Sequence, residues 1–383
     1  MTSTTCNEDE ELFRSEIERF ARETITPHVM EMDHKEEMHS DVLKSLFDMG
    51  LMGIDVPEEF GGAGGSFFMA CLAIIEIAKV DPAISVVADV QNTLVNNIFK
   101  NWGTEEQKKT YLPQLCSSKV GCFCLTEADS GSDAFAMASR AIKDGDDYIV
   151  SGKKVFITNA KEAEIFLVFA NVNPDAGYKG ITAFIVDKGQ EGLSLGKKEE
   201  KLGIRASSTC EVLFDQVRVP ANRVMGPIGQ GYKIAIETLN EGRIGIASQM
   251  LGLAHGALNG AWAYAKQRSQ FGKALTHFQG LQFQLASMAS DVLSAQLLVY
   301  HAARLKDAGK PFQLEAAIAK HKASEIAEQV ASLSLEIYGG YGFIKEFPAE
   351  KFYRDVKIGK LYEGTTNLQL QTIFKYLDKT MGS

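Results

Sequence analysis

The residues best suited to chemistry lie near the end of the chain, where Glu363 stands between the aromatic Tyr362 and the helix breaker Gly364. This pattern predicts a carboxylate on a short, partly apolar loop between two helices. Burial in such a loop raises the pKa of a carboxyl group and makes it a base suited to neutral pH. Glu363 is therefore a candidate general base, and an ordinary loop glutamate in water is the other interpretation that these residues leave open.

The segment after this loop predicts a second helix. Thr365 and Thr366 can cap its start. Apolar residues then follow at roughly helical spacing: Leu368, Leu370, Ile373, Phe374 and Leu377. A helix that begins here would fix one end of the loop that carries Glu363.

Composition limits the possible functions. The chain has 383 residues, of which 45% are hydrophobic, so two or three packed domains are expected. Its formal net charge is −9 and its basic residues are scattered, which argues against a nucleic-acid partner. No apolar run approaches the roughly 20 residues that span a bilayer, and the start of the chain is acidic rather than Arg-rich. We expect a soluble chain, without membrane insertion, from which any targeting peptide has been removed.

The cysteines do not predict a metal or redox site. They show neither a Cys-x-x-Cys pair nor a histidine partner at metal spacing, and they stand at positions 6, 71, 116, 122, 124 and 210. We interpret them as reduced, mostly buried thiols. Cys122 and Cys124 would share one face of a strand, where they would serve packing.

Hydrophobic periodicity divides the chain into three predicted domains. Residues 1–119 form an N-terminal helical domain with four or five helices. Residues 120–226 form a small antiparallel, barrel-like β-domain of short Val-, Ile- and Phe-rich runs, with a hairpin turn at Asp144-Gly145. Residues 227–383 form a C-terminal four-helix-bundle domain with long helices near 230–267, 277–309 and 312–338. The predicted fold class is α+β and mostly helical.

Three glycines inside the first long helix predict close packing. Gly252, Gly256 and Gly260 recur at every fourth residue. Glycine lowers helix propensity but lets another helix approach closely. We therefore expect this face of the helix to lie against a neighbouring helix.

This domain order, with a candidate base near the end, resembles the acyl-CoA dehydrogenase family from about residue 9 to the end of the chain. Several motifs in this order and spacing carry the resemblance: Cys124-Leu-Thr-Glu-Ala-Asp-Ser-Gly-Ser-Asp, Phe156-Ile-Thr-Asn, Gly180-Ile-Thr-Ala-Phe, Asn240-Glu-Gly-Arg-Ile-Gly-Ile, Gln267-Arg-Ser-Gln-Phe-Gly-Lys, Tyr338-Gly-Gly-Tyr-Gly and Tyr362-Glu-Gly-Thr.

The resemblance implies that the chain binds FAD. The implied contacts in the middle domain are Phe123, Cys124, Leu125, Thr126, Glu127, Ala128, Asp129, Ser130, Gly131, Ser132, Phe156, Ile157 and Thr158. Those in the C-terminal domain are Arg268, Phe271, Gln279, Glu336, Ile337, Tyr338, Gly339, Gly340, Thr365, Thr366 and Asn367. Arg268 is implied to meet the FAD pyrophosphate of a neighbouring subunit. Asp129 departs from the glycine usual in relatives and adds negative charge near that group.

The resemblance also implies the reaction. Glu363 would take the α-proton of an acyl-CoA thioester, the β-hydrogen would leave as hydride to FAD, and the product would be a trans-2-enoyl-CoA. The thioester carbonyl would be polarised by the backbone N–H of the base and a ribityl hydroxyl. The implied acyl-CoA contacts are Ser132, Tyr178, Tyr232, Asn240, Glu241, Gly242, Arg243 and Gly364. No metal is implied.

Further details narrow the resemblance. Isovaleryl- and long-chain-type members carry the base at the position of Gly242, whereas this chain has glycine there. The runs that begin at Leu202, Asn171 and Gln91 most resemble the short/branched-chain subclass that acts on 2-methylbutyryl-CoA. A butyryl-CoA dehydrogenase and a catalytically inactive acyl-CoA-binding scaffold are the alternatives.

The resemblance implies assembly, a redox partner and a location as well. A homotetramer built as a dimer of dimers is expected, with electron-transfer flavoprotein as electron acceptor. The implied location is the mitochondrial matrix, or the cytoplasm if the chain is bacterial.

Overall fold

The computed structural model describes residues 6–381. The outermost ends of the predicted terminal domains, residues 1–5 and 382–383, lie outside the described residues. Within the described part, no helix is both long and apolar enough to cross a membrane. The same residues contain no group of three or more His, Cys, Asp or Glu that could hold a metal ion.

The N-terminal segment is helical, as expected, but contains more helices than the four or five predicted. The first helix, Glu8–Phe20, begins with a capping box: the side chain of Asn7 accepts a hydrogen bond from the N–H of Glu10, and the side chain of Glu10 accepts one from the N–H of Asn7. The described helices are α1 (Glu8–Phe20), α2 (Val29–Lys35), α3 (Ser40–Asp48), α4 (Phe67–Ala78), α5 (Pro82–Asp89), α6 (Asn97–Trp102) and α7 (Glu105–Ser117). A π-helical segment, Val90–Asn96, joins α5 to α6, so one apolar run forms several short elements rather than one helix.

The middle segment forms one eight-stranded sheet. Its strands are β1 (Val120–Cys124), β2 (Arg140–Asp144), β3 (Asp147–Thr158), β4 (Ala163–Asn171), β5 (Ile181–Asp187), β6 (Leu193–Lys198), β7 (Thr209–Val219) and β8 (Val224–Met225). Their order is β6-β7-β3-β2-β4-β5-β8, with β1 beside β4. Most pairs are antiparallel, and the hairpin at Asp144-Gly145 is confirmed.

Two strand pairs correct the expectation of a wholly antiparallel sheet. β1 runs parallel to β4, and β2 meets β4 in parallel at Arg140 and Asn171. The long connections between these strands allow a parallel arrangement, which a tight hairpin does not. The sheet is open, with β6 and β8 at its ends in the described chain.

The C-terminal segment returns to long helices close to the predicted ranges. They are α8 (Gly231–Gln267), α9 (Gln279–Asp307), α10 (Gln313–Tyr338), α11 (Ala349–Asp355) and α12 (Thr366–Met381), and a small hairpin of β9 (Ser269–Gln270) and β10 (Lys273–Ala274) lies between α8 and α9. A Cβ atom at Gly252 would lie 2.3 Å from the Ile75 carbonyl oxygen, and one at Gly256 would lie 2.3 Å from that of Lys79. The close packing predicted for Gly252 and Gly256 is confirmed, with the end of α4 as the neighbour, whereas a Cβ atom at Gly260 would lie 3.1 Å from the Tyr338 hydroxyl on α10.

Buried ion pairs join the three segments just before the loop of Glu363. Lys351 on α11 lies 2.8 Å from Asp81 at the start of α5 and 2.6 Å from Asp355. Asp355 also accepts a hydrogen bond from the N–H of Ile204, 2.6 Å away, in the middle segment. This arrangement holds α11 against both other segments and fixes the start of the loop that follows it.

Candidate active site

Glu363 lies on a tight turn between α11 and α12. The chain leaves α11 through the 3₁₀ turn Val356–Lys360, and α12 starts at Thr366. Thr365 caps α12, because its Oγ1 atom accepts a hydrogen bond from the N–H of Leu368 at 3.4 Å. Glu363 has φ 49° and Gly364 has φ 90°, so two consecutive residues adopt a backbone conformation that L side chains rarely take. Such strain often marks a functional position.

The Glu363 carboxylate faces a notch in α8. A Cβ atom at Gly242 would lie 2.1 Å from Oε2 of Glu363 and 2.8 Å from Cδ2 of Leu94. The absence of a side chain at position 242 therefore makes room for the carboxylate. Positions 242 and 363 face the same space, although they are far apart in sequence.

Burial gives Glu363 the character of a base. Oε2 is buried and has no hydrogen-bond partner among the described residues. Burial raises the pKa of Glu363 to about 7, while the nearby cations Lys320 and Arg243 oppose the rise. A carboxyl with this pKa is matched to proton transfer near neutral pH. The structure thus favours a buried base over a solvated loop glutamate.

Polar residues that the sequence analysis did not single out hold this turn. Lys320 on α10 donates to the carbonyl oxygen of Gly364 at 2.5 Å, and Gln369 on α12 donates to the same oxygen at 2.9 Å. The hydroxyl of Tyr362 donates to Oε1 of Gln249 on α8. In sequence these are polar residues within helices, and no local signal distinguishes them from surface positions.

Asp89 at the end of α5 is a second buried carboxyl near Glu363. Thr93 donates to its Oδ1 atom at 2.8 Å, and Oδ2 has no partner among the described residues. Burial, and then the charge of Glu363, raise the pKa of Asp89 well above its usual range. The sequence analysis missed Asp89 because nothing local marks its burial.

The residues expected to contact substrate fall into three groups. Arg243 and Asn240 lie on α8 and share a hydrogen bond of 2.8 Å, and Arg243 contributes positive charge at Glu363. Tyr178 and Tyr232 pack edge to face with ring centroids 4.9 Å apart. Three other expected residues lie apart from these two pairs. Gly364 belongs to the turn, and Ser132 is exposed. The carboxylate of Glu241 lies 3.4 Å from the ammonium of Lys306 on α9.

The loop after β1 offers mainly backbone groups to a ligand. Glu127 turns inward, where its carboxylate lies 2.8 Å from the Lys154 ammonium and accepts from the N–H of Ala138 at 2.6 Å. The side chains of Cys124 and Leu125 are buried. These residues could meet a cofactor only through their main chain. Asp129 is exposed and forms no ion pair with a described residue.

A strained, exposed aromatic residue, Phe156, lies on β3. Phe156 has φ 57° at an irregularity in the pairing of β3 with β7, and 62% of its surface is exposed. Ile157 beside it is buried and Thr158 is half-buried. An uncovered aromatic ring can stack on a planar ligand, and backbone strain at a bulky residue often marks a functional position.

A separate cleft of about 540 Å³ gathers five of the expected C-terminal cofactor residues. Arg268, at the end of α8, forms no ion pair within the described chain and lies 5.4 Å from the ring of Tyr341. The residues that line this cleft include Arg268, Ile337, Tyr338, Gly339 and Gly340. Glu336, Gln279 and Asn367 are exposed outside this lining. An unpaired guanidinium beside exposed glycine backbone suits a phosphate group.

Next to this cleft, Phe271 is 93% exposed. It has φ 52° and is followed by Gly272 with φ 76°, so the two residues form the tight turn between β9 and β10. This backbone conformation holds the phenylalanine ring out from the surface, where a ligand or another protein chain could cover it.

Comparison with known proteins shows the family of this chain. Family models described as the acyl-CoA dehydrogenase N-terminal, middle and C-terminal domains match residues 7–119, 122–217 and 229–377. The mitochondrial short/branched chain specific acyl-CoA dehydrogenase of Rattus norvegicus is 50% identical over 98% of this chain and 87% of its own. Butyryl-CoA dehydrogenase from Megasphaera elsdenii has a TM-score of 0.96 at 40% identity, over 98% of this chain and 100% of its own. A glutaryl-CoA dehydrogenase from Mycobacterium smegmatis in complex with FADH2 has a TM-score of 0.93 at 30% identity, over 99% and 96%.

Proposed function

The chain belongs to the acyl-CoA dehydrogenase family and is an oxidoreductase of that family, and we propose that Glu363 is its catalytic base. The observation that carries this assignment is the buried, unpartnered Oε2 atom of Glu363 opposite Gly242. Because its pKa is near 7, the carboxylate can take a proton from a weakly acidic α-carbon at physiological pH.

The turn also supplies a donor for the thioester oxygen. The N–H of Glu363 donates no hydrogen bond within the described chain. A free N–H beside the base can polarise the thioester carbonyl, which makes the α-proton more acidic. In this role Glu363 uses both its main chain, as donor, and its side chain, as proton acceptor.

FAD is the proposed cofactor of this flavoprotein. Phe156 offers an aromatic face, the loop after β1 offers backbone groups, and Thr365 to Asn367 start a helix whose N–H groups suit an anion. The flavin, when bound, accepts the β-hydrogen of the substrate with its electron pair. The protein residues would hold the acyl group against Glu363 and keep the transferred α-proton on the Glu363 carboxyl.

We further propose short acyl-CoA substrates with an α-methyl branch, of the 2-methylbutyryl-CoA type. The support is the likeness to the rat short/branched chain enzyme over nearly the whole chain. Butyryl-CoA is the second candidate, because the Megasphaera butyryl-CoA dehydrogenase has so similar a structure. One methyl group changes binding by only about 1–3 kcal/mol, so the two substrates should overlap.

A panel of acyl-CoA thioesters, assayed with an artificial electron acceptor, tests the substrate. We expect 2-methylbutyryl-CoA to give a higher kcat/KM than octanoyl- or isovaleryl-CoA. A preference for chains of eight or more carbons would contradict the proposal, and a preference for butyryl-CoA would establish the second candidate.

The Glu363→Gln variant tests the base. We expect it to keep FAD and acyl-CoA binding but to lose about 10²–10⁴ in rate, because the amide cannot take the α-proton. Flavin reduction by substrate is followed after rapid mixing. A variant that bleaches its flavin as fast as the parent would show that another group is the base.

Assembly, redox partner and location complete the proposal. The unpaired Arg268 and the uncovered Phe271 support a site completed by a neighbouring subunit of a homotetramer. Electron-transfer flavoprotein is the proposed acceptor of electrons from the reduced flavin. The rat relative is mitochondrial, which supports a mitochondrial matrix location, and the cytoplasm is proposed for a bacterial source.

A further inference from the structure

The carbonyl groups of Glu363 and Gly364 are held by two buried side chains from different helices. Lys320 on α10 is 1% exposed, and its ammonium lies 2.5 Å from the Gly364 carbonyl oxygen. Gln369 on α12 is fully buried and donates to the same oxygen at 2.9 Å and to the carbonyl oxygen of Glu363 at 3.3 Å. One anchor carries a charge and the other does not.

The turn needs such anchors because its backbone is strained. Glu363 at φ 49° adopts a conformation that non-glycine residues hold only where the surrounding structure fixes it. The carboxylate must also stay in the narrow notch at Gly242, where it would lie 2.1 Å from a Cβ atom. A small rotation of the Gly364 peptide would move the base away from α8.

We propose that Lys320 is a positioning residue for the catalytic base: its buried ammonium fixes the Gly364 peptide, holds Glu363 in its left-handed turn and keeps the carboxylate directed at Gly242. The proposal rests on the assignment of Glu363 as the base. Lys320 itself takes no part in proton transfer.

The charge of Lys320 has a second effect that a neutral anchor cannot have. Burial raises the pKa of Glu363, and Lys320 is the largest opposing influence, followed by Arg243 on α8. The other titratable groups around the base are Asp89 on α5, with its raised pKa, and Tyr362 in the turn, whose pKa burial also raises. Removal of the Lys320 charge should therefore raise the pKa of Glu363 further and leave less carboxylate at neutral pH.

Matched variants separate anchoring from charge. Lys320→Met removes the donor and the charge at similar length, Lys320→Arg keeps the charge, and Gln369→Leu removes only the neutral donor. Lys322→Met is the control, because Lys322 lies on the same helix with about half of its side chain exposed and pairs with Glu325. The holoenzymes are compared in kcat, in the pH midpoint of the acidic limb of kcat/KM, and in amide hydrogen exchange of residues 361–366.

For Lys320→Met we expect kcat to fall about 10²-fold, since a shift of 1 Å at a reacting group has that effect. The acidic midpoint should rise by about one pH unit, and exchange in residues 361–366 should become faster. Gln369→Leu should lower kcat and speed exchange without moving the midpoint, Lys320→Arg should keep the parent midpoint, and Lys322→Met should match the parent throughout.

A Lys320→Met enzyme with the parent's kcat, midpoint and exchange would overturn the proposal. A fall in kcat without a shift in midpoint or faster exchange would overturn it too, because a general packing defect would suffice. If Lys320→Met does not fold, Lys320→Gln, which also removes the charge, takes its place. A higher acidic midpoint with faster exchange in residues 361–366 then supports the proposal, and the parent's kcat, midpoint and exchange refute it. If the parent itself turns over no acyl-CoA, the proposed function fails, and the exchange measurement still decides whether Lys320 anchors the turn.

Discussion

The glycine notch opposite Glu363 allows a prediction that follows directly from distances. In a Gly242→Ala enzyme the new Cβ atom would begin 2.1 Å from Oε2 of Glu363 and 2.8 Å from Cδ2 of Leu94. Ordinary van der Waals contact begins at 3.4 Å, so the carboxylate must move by about 1.3 Å or α8 must retreat. A displacement of this size at a base costs about 10²-fold in rate. We expect that loss in kcat, with FAD content unchanged.

The assay is steady-state turnover with an artificial acceptor, beside the flavin-to-protein ratio and thermal unfolding. Gly280→Ala on α9 is the control, because a Cβ atom there meets nothing within 4 Å and alanine favours a helix. The control should keep the parent's kcat. A Gly242→Ala enzyme with the parent's kcat would refute the packing of the Glu363 carboxylate against α8.

Further predictions address pH, stability and assembly. Glu363 must be ionised to accept a proton, and its pKa is about 7, so kcat/KM should rise with pH through about 7. A flat pH profile of kcat/KM between about pH 5.5 and 8.5 would contradict this. Lys351→Met leaves two buried carboxylates, Asp81 and Asp355, without their cation. It should therefore lower the free energy of unfolding, measured by denaturant titration, by about 3–5 kcal/mol. The control Lys357→Met removes an exposed ion pair and should change this free energy by less than about 1 kcal/mol. Arg268→Ala should weaken FAD retention and loosen the proposed tetramer, which sedimentation beside the flavin-to-protein ratio measures. Undiminished FAD would remove the proposed cross-subunit role of this residue.

The sequence alone determined the features that depend on local pattern. The long helices α8, α9 and α10 follow from sustained apolar periodicity and end near the predicted residues. The Asp144-Gly145 hairpin follows from turn chemistry that few other residue pairs satisfy. The placement of Glu363 in a turn follows from the glycine after it and from the capping threonines, because these residues act within a few positions of the chain.

Only the tertiary structure decided what surrounds that turn. The notch at Gly242, the side chain of Lys320 and the buried carboxyl of Asp89 approach the turn of Glu363 from three different helices. The parallel pairing of β1 with β4 likewise joins residues far apart in the chain. Local patterns report how a segment folds, but a pKa near 7 at Glu363 arises from desolvation and from charges that only the packed helices bring together.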